Sequence, residues 1–183
     1  MIAGICRRAV ALLVVVGATT GCQGPSDGGS APCARAATVG CAPHVAFGGT
    51  VRVGEQEWQA QRVRTRKTIG GPRFLGARAR GRFVIITMRT ISARDATLSS
   101  RTFQLEIDGK AYGPDDVGFS AAAGEDAFYL IAKIKVGVIT TVKAVFDVPV
   151  SALSKKAEMR FNEPGLAPSG SRHGYIDISS RLG

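Results

Sequence analysis

Residues 82–92 read RFVIITMRTIS, and this run decides the class of fold. A continuous β-branched and aliphatic segment of this length is typical of a central strand in a β-sandwich. The segment TFQLEI at 102–107 follows with every second residue apolar, as in a strand with one buried face. Asp108 and Gly109 then supply the residues that a two-residue hairpin turn requires. The centre of the chain therefore predicts antiparallel strands joined by tight turns.

Short strands are expected on both sides of this centre. They lie in TVRVGEQEWQAQRVRTRK at 50–67, AFYLIAKI at 127–134, TTVKAVFDVPV at 140–150, MRF at 159–161 and GYIDIS at 174–179. Pro149 should end the pairing of its strand, because proline cannot donate to a sheet ladder. No segment competes strongly as a helix, since AAAGEDAF at 121–128 is short and contains a glycine. About seven to nine short strands predict an all-β antiparallel sandwich.

The first 21 residues have the layout of an export signal. Arg7 and Arg8 precede AVALLVVVGA at 9–18, and TTG separates this run from Cys22. The run is half of the roughly 20 residues that a membrane-spanning helix needs. TTGC resembles a lipobox without the usual leucine, so we expect cleavage before Cys22 and its acylation, with ordinary secretion as the alternative. The protein is therefore expected outside the cytoplasm, lipid-anchored to the outer face of a bacterial cell membrane or else secreted.

Three segments follow from this reading: a signal peptide at 1–21, a flexible tether at 22–44 and one domain at 45–183. Loss of the signal, which holds two arginines and no acid, takes the net charge from +10 to +8. The tether is rich in glycine, proline and small residues. Oxidising surroundings favour a local disulfide between Cys33 and Cys41. A metal or redox pair of Cys41 with His44 is the alternative, although two such ligands do not complete a tetrahedral site.

Four stretches of the domain carry a family resemblance. They are GGTVRVGEQEW at 48–58, GRFVIITMRT at 81–90, FQLEIDGKAYGPDD at 103–116 and VGVITTVKAVFDVPVSA at 136–152. In this order they resemble the immunoglobulin-like domain of unknown function found in secreted Gram-positive lipoproteins. That domain is related in fold to telokin and to a small secreted mycobacterial antigen. The resemblance implies an immunoglobulin-like antiparallel β-sandwich and brings no catalytic residues with it.

The titratable residues do not form a recognisable catalytic or metal site. The two histidines, His44 and His173, are expected in the tether and in a loop, away from a nucleophile. Asp108, Asp115 and Asp116 lack the alternating spacing of a calcium-binding loop. We therefore expect no enzymatic activity, no cofactor and no bound metal.

A basic segment runs from Trp58 to Arg94 without a single acid. Its ten basic residues are Arg62, Arg64, Arg66, Lys67, Arg73, Arg78, Arg80, Arg82, Arg89 and Arg94. A solvated strand face is the ordinary explanation of such a run. The functional explanation is a surface that binds an anionic envelope polymer, lipid headgroups or an acidic protein. The residues expected to form it are Arg62, Arg64, Arg66, Lys67, Arg78, Arg80 and Arg82.

Two functions are therefore expected from the sequence. The first is a non-enzymatic binding domain, anchored in the membrane through an N-terminal lipid, that contacts an anionic partner through its basic strands. Nucleic acid is not an expected partner, because the chain carries an export signal and the segment lacks interleaved aromatic residues. The alternative is a carrier of a small apolar or lipid ligand, which would need an internal cavity of a few hundred cubic ångströms, about the size of typical ligand pockets.

Overall fold

The computed structural model describes residues 42–70, 76–122, 132–164 and 172–182. Strands and short helices account for most of them. The strands are β1 (His44–Val45), β2 (Thr50–Val53), β3 (Gln56–Ile69), β4 (Ala77–Ser92), β5 (Ala96–Leu98), β6 (Phe103–Ile107), β7 (Lys110–Tyr112), β8 (Ala132–Ile134), β9 (Thr140–Val148), β10 (Ala157–Asn162) and β11 (His173–Asp177). The helix α1 spans Asp116–Ala122, and short 3-10 helices lie at Ser100–Thr102, Val150–Ala152 and Ser179–Arg181.

Two large sheets form the sandwich. Sheet A has five strands in the order β1-β11-β10-β6-β7, and sheet B has four in the order β2-β3-β4-β9. Strands β5 and β8 form a separate pair. Pairing is antiparallel throughout these sheets except that β1 runs parallel to β11. The all-β sandwich expected from the sequence is confirmed, with eleven strands in the described residues rather than the predicted seven to nine.

The main core lies between the two sheets and takes side chains from both. Val51, Trp58 and Val84 of sheet B meet Leu105 and Met159 of sheet A, and all five are at most 1% exposed. Trp58 packs against Phe103 edge to face, with ring centroids 5.3 Å apart, and stacks on Phe161 at 5.1 Å. Aromatic pairs in these geometries add to the stabilisation that burial of apolar area provides.

The run RFVIITMRTIS lies at the centre of sheet B. It forms most of β4, which pairs with β3 on one side and with β9 on the other. Val84, Ile86 and Met88 are fully buried, as expected of a strand covered by neighbours on both edges and by the core on one face. Strand β9 ends at Val148, directly before Pro149.

The hairpin between β6 and β7 has the predicted two-residue turn. Asp108 has φ +51° and Gly109 has φ +75°. Positive φ at both central positions is the requirement of a type I′ turn, which asparagine, aspartate and glycine meet most readily. Lys155 Nζ donates a hydrogen bond to Asp108 Oδ2 at 2.6 Å.

Helix α1 was not predicted, and it covers part of the outer face of sheet B. Asp115 caps the N-terminus of this helix, because its carboxylate accepts a hydrogen bond from the Gly118 N–H. Gly118 lies so close to the sheet that a Cβ there would stand 2.8 Å from Phe83 Cε1 and 2.9 Å from Val145 Cγ1. Ala121 joins Phe83 and Val145 in a second buried cluster. The helix is short and its apolar contacts are tertiary, so sequence periodicity did not reveal it.

Candidate functional site

Three arginines line one face of β3. Arg62, Arg64 and Arg66 pair across the strands with Thr87, Ile85 and Phe83 of β4, respectively, and all three are exposed. Cross-strand partners share a face of the sheet. Alternate residues of a strand are about 6.7 Å apart, so the three arginines are evenly spaced along β3.

A β-bulge puts these arginines on the outer face. Trp58 and Ala60 have the same sequence parity as Arg62 and are fully buried. The register between β3 and β4 shifts between Ala60 and Arg62, so Gln61 is an extra residue on β3. One extra residue exchanges the two faces of a strand. The side chains of positions 62, 64 and 66 therefore point away from the core, and Val63 packs against it.

Arg89 and Lys143 extend the row on the same face. Arg89 pairs with Gln59 on β3 and with Thr141 on β9. Thr87, the partner of Arg62, pairs on its other side with Lys143. We call the outer surface formed by Arg62, Arg64, Arg66 and Arg89 the basic face. Arg89 was absent from the predicted set, and Lys143 could have been placed near it from the alternation of β9.

Lys67, the residue after Arg66, binds the backbone of β4. Its ammonium group donates hydrogen bonds to the carbonyl oxygens of Ala79, Arg80 and Gly81 at 2.9, 3.0 and 3.1 Å. Here β4 bulges away from β3, because the pairing skips from Arg66 opposite Phe83 to Thr68 opposite Arg78. All three donors of Lys67 are thus committed to the backbone of the bulge.

Asp147 holds the same bulge from the other side. It belongs to the FDVP segment at 146–149, and its carboxylate accepts the backbone N–H groups of Arg80 and Gly81 at 2.7 and 3.0 Å. Gly81 fits because a Cβ at this position would stand only 2.0 Å from the carbonyl oxygen of Val148. The FDVP segment therefore has a structural role in holding the bulge of β4.

The remaining predicted arginines lie on the opposite side of β4. Arg82 pairs with Val148, a main-core residue, so it faces away from its neighbour Phe83. Arg78 lies between Ala77 and Ala79, which belong to the second cluster with Phe83. Arg78, Arg80 and Arg82 are all exposed. The structure therefore divides the predicted set into one row on the basic face and a second group directed elsewhere.

The two histidines meet on the outer face of sheet A, which corrects their expected separation in a tether and a loop. His44 begins β1 and stacks on Tyr175 of β11, with ring centroids 4.3 Å apart. His173 approaches the same tyrosine edge on at 5.5 Å. His44 Nδ1 also lies 3.1 Å from Glu158 Oε1. Parallel pairing of β1 with β11 produces this contact, and no local sequence signal indicates such a long-range pairing.

Charged side chains surround Tyr175. Arg160 Nη1 lies 3.2 Å from Glu106 Oε1, and the Arg160 guanidinium stands 6.0 Å from the centre of the Tyr175 ring. Burial raises the pKa of Tyr175, and Arg160 opposes this effect. In the described part of the chain, no three His, Cys, Asp or Glu side chains come together as metal ligands would. The arrangement cross-links β1, β11, β10 and β6.

Two of the three aspartates considered for calcium have other partners. Asp108 accepts the hydrogen bond from Lys155 in the hairpin turn, and Asp115 caps helix α1. Both carboxylates therefore have structural roles in the described structure.

Two clefts lie at one end of sheet B, on either side of Ile91 and Glu57. One has a volume of about 260 Å³ and is bordered by Arg89 and Ile139. The other has about 290 Å³ and is bordered by Arg52 and Val136. Since Val136 and Ile139 are more than half exposed, both clefts are surface features.

The predicted N-terminal sites lie outside the described residues. These are the acylation site Cys22, the possible disulfide partners Cys33 and Cys41, and thus also the Cys41 member of the pair with His44. Across the residues that the structure does describe, no helix is long and apolar enough to span a membrane.

The fold places the chain in the class of small two-sheet β-sandwiches, and solved structures of this class resemble it. The yjhA protein from Bacillus subtilis is 9% identical, with a TM-score of 0.55 over 73% of this chain and 98% of its own. A secreted protein from Mycobacterium tuberculosis, MPT63, is 15% identical, with a TM-score of 0.53 over 75% and 98%. A conserved hypothetical protein from Bacillus anthracis is 13% identical, with a TM-score of 0.52 over 63% and 87%.

These similarities concern the fold. No protein-family model matches the chain, and no curated protein matches it.

Proposed function

We propose that this chain is a non-enzymatic, lipid-anchored binding domain that lies outside the cytoplasm and contacts an anionic envelope partner through the basic face. We also propose that it belongs to the immunoglobulin-like domains of unknown function found in secreted Gram-positive lipoproteins. The description of MPT63 as a secreted protein supports the location, together with the signal-like N-terminus. The observation that carries the binding proposal is the row of exposed arginines at 62, 64 and 66 on one strand face.

Phosphate-bearing polymers and lipid headgroups suit this row because their negative charges recur along an extended surface. Guanidinium groups bind phosphate with two parallel hydrogen bonds, and the arginine spacing allows successive contacts. Exposed charge pairs contribute roughly 0.5 kcal/mol each and are screened by salt. Each arginine of the row should therefore add to the affinity, and binding should weaken as ionic strength rises.

The chain contains its own matched control for this proposal. The triple variant Arg62→Ser, Arg64→Ser, Arg66→Ser removes three charges from the basic face. The triple variant Arg78→Ser, Arg80→Ser, Arg82→Ser removes three charges from the other side of β4. Both variants have the same net charge, so a difference between them reports the position of the charges.

Binding is measured by sedimentation with immobilised poly(glycerol phosphate) and, separately, with an acidic polypeptide. The first triple variant should lose about tenfold in affinity, as three weak charge pairs predict, and the control triple should lose much less. Equal losses would mean that only net charge matters and would contradict a defined face. Binding of the wild type that does not respond to salt would also contradict it.

Lipid anchoring is tested by mass spectrometry of the mature protein. Acylated Cys22 at the new N-terminus is expected, and an unmodified terminus elsewhere would favour secretion. The alternative function, transport of a small apolar ligand, is tested by native mass spectrometry of protein purified from envelopes. A stoichiometric lipid that survives purification would favour a carrier over a binding domain.

A further inference from the structure

An exposed apolar loop lies between β8 and β9. Val136, Val138 and Ile139 are 57%, 50% and 53% exposed, whereas Ile134, which ends β8, and Thr140, which begins β9, are buried. Apolar side chains that cluster on an exposed loop are unfavourable in water and commonly mark a binding surface. We call Val136, Val138 and Ile139 the apolar tip.

The loop is held in place by hydrogen bonds. The N–H of Val136 donates to Asp95 Oδ1 at 2.9 Å, and the N–H of Gly137 donates to the Ser92 carbonyl at 2.9 Å. Gly137 has φ +70°, which a glycine adopts without strain. The backbone is thus anchored to the end of β4, and the apolar side chains point outward on a fixed support.

The tether enters the domain at the same end of the sandwich. The Pro43 carbonyl accepts the N–H of Tyr175 at 2.8 Å, at the start of the described chain. A Cβ on Gly174 would lie 3.2 Å from Pro43 Cγ and 3.0 Å from Val53 Cγ2, so these residues are neighbours. The turn after Val53 adjoins β4, because the Ala93 N–H donates to the Glu55 carbonyl at 2.9 Å. Ser92, next to Ala93, holds the loop.

Basic residues accompany the apolar tip. Lys133 and Lys135 precede it, and Arg52 and Arg89 border the two clefts beside it; all four are exposed. Glu57 is exposed between the clefts and pairs across the strand with Arg52. Lysine and arginine side chains can extend to lipid phosphates while adjacent apolar groups enter the acyl boundary.

We propose that this end of the sandwich docks on an anionic lipid surface, with the apolar tip inserted at the headgroup boundary. The orientation rests on the proposed lipid anchor. Only about 20 residues separate Cys22 from Pro43, so an anchor at Cys22 would keep the Pro43 end within reach of the bilayer. Strand β3 starts at this end with Gln56 and rises about 3.3 Å per residue. The row from Arg62 to Arg66 therefore begins about 20 Å from this end, on the side away from the membrane. The row from Arg62 to Arg66 then remains available to a second, soluble or polymeric partner.

The test uses residues 22–183 with Cys22→Ser, which lacks the acyl chains. Every strand pairing of the described residues lies between residues 44 and 177, so this chain retains both sheets. Sedimentation is measured with phosphatidylcholine vesicles that contain increasing fractions of phosphatidylglycerol. The double variant Val136→Ser, Val138→Ser should bind about tenfold less, as expected from removal of two inserted apolar groups.

The matched control is Val117→Ser, Val150→Ser. These valines are 68% and 60% exposed and lie outside the apolar tip, on α1 and after β9. The control should bind vesicles as the wild type does. Equal binding of the two double variants, or no binding of the wild type to vesicles, would overturn the proposal. Because the arginine triple variant is measured on a soluble polymer, failure of the basic face is a separate result.

Insertion itself is measured with a tryptophan probe. Val138→Trp should shift its emission to shorter wavelength on vesicles and be quenched by brominated acyl chains, whereas Val150→Trp should show neither effect. Trp58 is fully buried and provides a constant background. A concentration-dependent dimer that is lost in Val136→Ser, Val138→Ser without any vesicle binding would assign the tip to a second copy of the chain.

Discussion

The carbonyl oxygen of Val148 occupies the space that a side chain on residue 81 would need, because a Cβ on Gly81 would stand 2.0 Å from it. Gly81→Ala therefore forces β4 and β9 apart and should cost about 3 kcal/mol of the free energy of unfolding, as overpacking does. Gly113→Ala is the control, since no atom lies within 4 Å of a Cβ there. Urea unfolding measures both variants, and an equal small effect in the two would contradict the close approach.

Lys67 and Asp147 stabilise one bulge and should be energetically coupled. Asp147→Ala leaves the N–H groups of Arg80 and Gly81 without their carboxylate acceptor, which should cost about 2–3 kcal/mol. Lys67→Met removes the donor to three carbonyl groups of the same bulge. A double-mutant cycle by chemical denaturation should give a combined loss smaller than the sum. Strict additivity would show that the two side chains act independently, and Lys135→Met serves as the exposed lysine control.

Thr90 has a buried hydroxyl group without a hydrogen-bond partner among the described residues. It pairs across the strands with Trp58 and is 1% exposed. Thr90→Val keeps the shape and removes the unsatisfied polar group, so it should stabilise the fold by about 1 kcal/mol. Thr141→Val changes an exposed residue of β9 and should have little effect. Thermal unfolding compares the two variants, and destabilisation by Thr90→Val would reveal a partner for the hydroxyl.

Asp177 should make stability depend on acid pH. Burial alone would raise its pKa, but hydrogen bonds from the Ser179 hydroxyl and backbone N–H, at 2.7 and 2.8 Å, outweigh burial and lower the pKa. Because the pKa is lower in the folded state, the carboxylate contributes its full stabilisation at pH values well above the unfolded pKa of about 3.9. This contribution is lost as the pH falls through the folded-state pKa.

Asp177→Asn should therefore destabilise the protein at neutral pH and flatten the acid limb of its stability curve. Unfolding free energies measured from neutral to acid pH check this dependence. Glu57→Gln, an exposed carboxylate on β3, should leave the acid limb close to that of the wild type. An unchanged acid limb in Asp177→Asn would mean that other carboxylates control acid unfolding.

Alternation and turn chemistry predicted a large part of the fold. TFQLEI became a strand with Phe103, Leu105 and Ile107 buried, and Asp108 with Gly109 formed the expected turn. The uninterrupted apolar run of β4 indicated a strand with neighbours on both edges. These features are local, because side-chain direction follows backbone period and turn type follows the residues that tolerate positive φ. Helix α1 and the contact of His44 with Tyr175 depend on distant partners and were not predicted.

The candidate site shows the same division. Ten basic residues and no acid can be counted from Trp58 to Arg94 in the sequence alone. The directions of their side chains depend on how β3 and β4 pair. Arg62, Arg64 and Arg66 share the sequence parity of buried Trp58, and the bulge at Gln61 turns them outward. Lys67, counted in the same basic segment, is bound to the protein's own backbone. Side chains alternate between the two faces of a strand, so one extra residue reverses the direction of the side chains that follow it. In β3 this residue is Gln61, which has no partner in the pairing with β4.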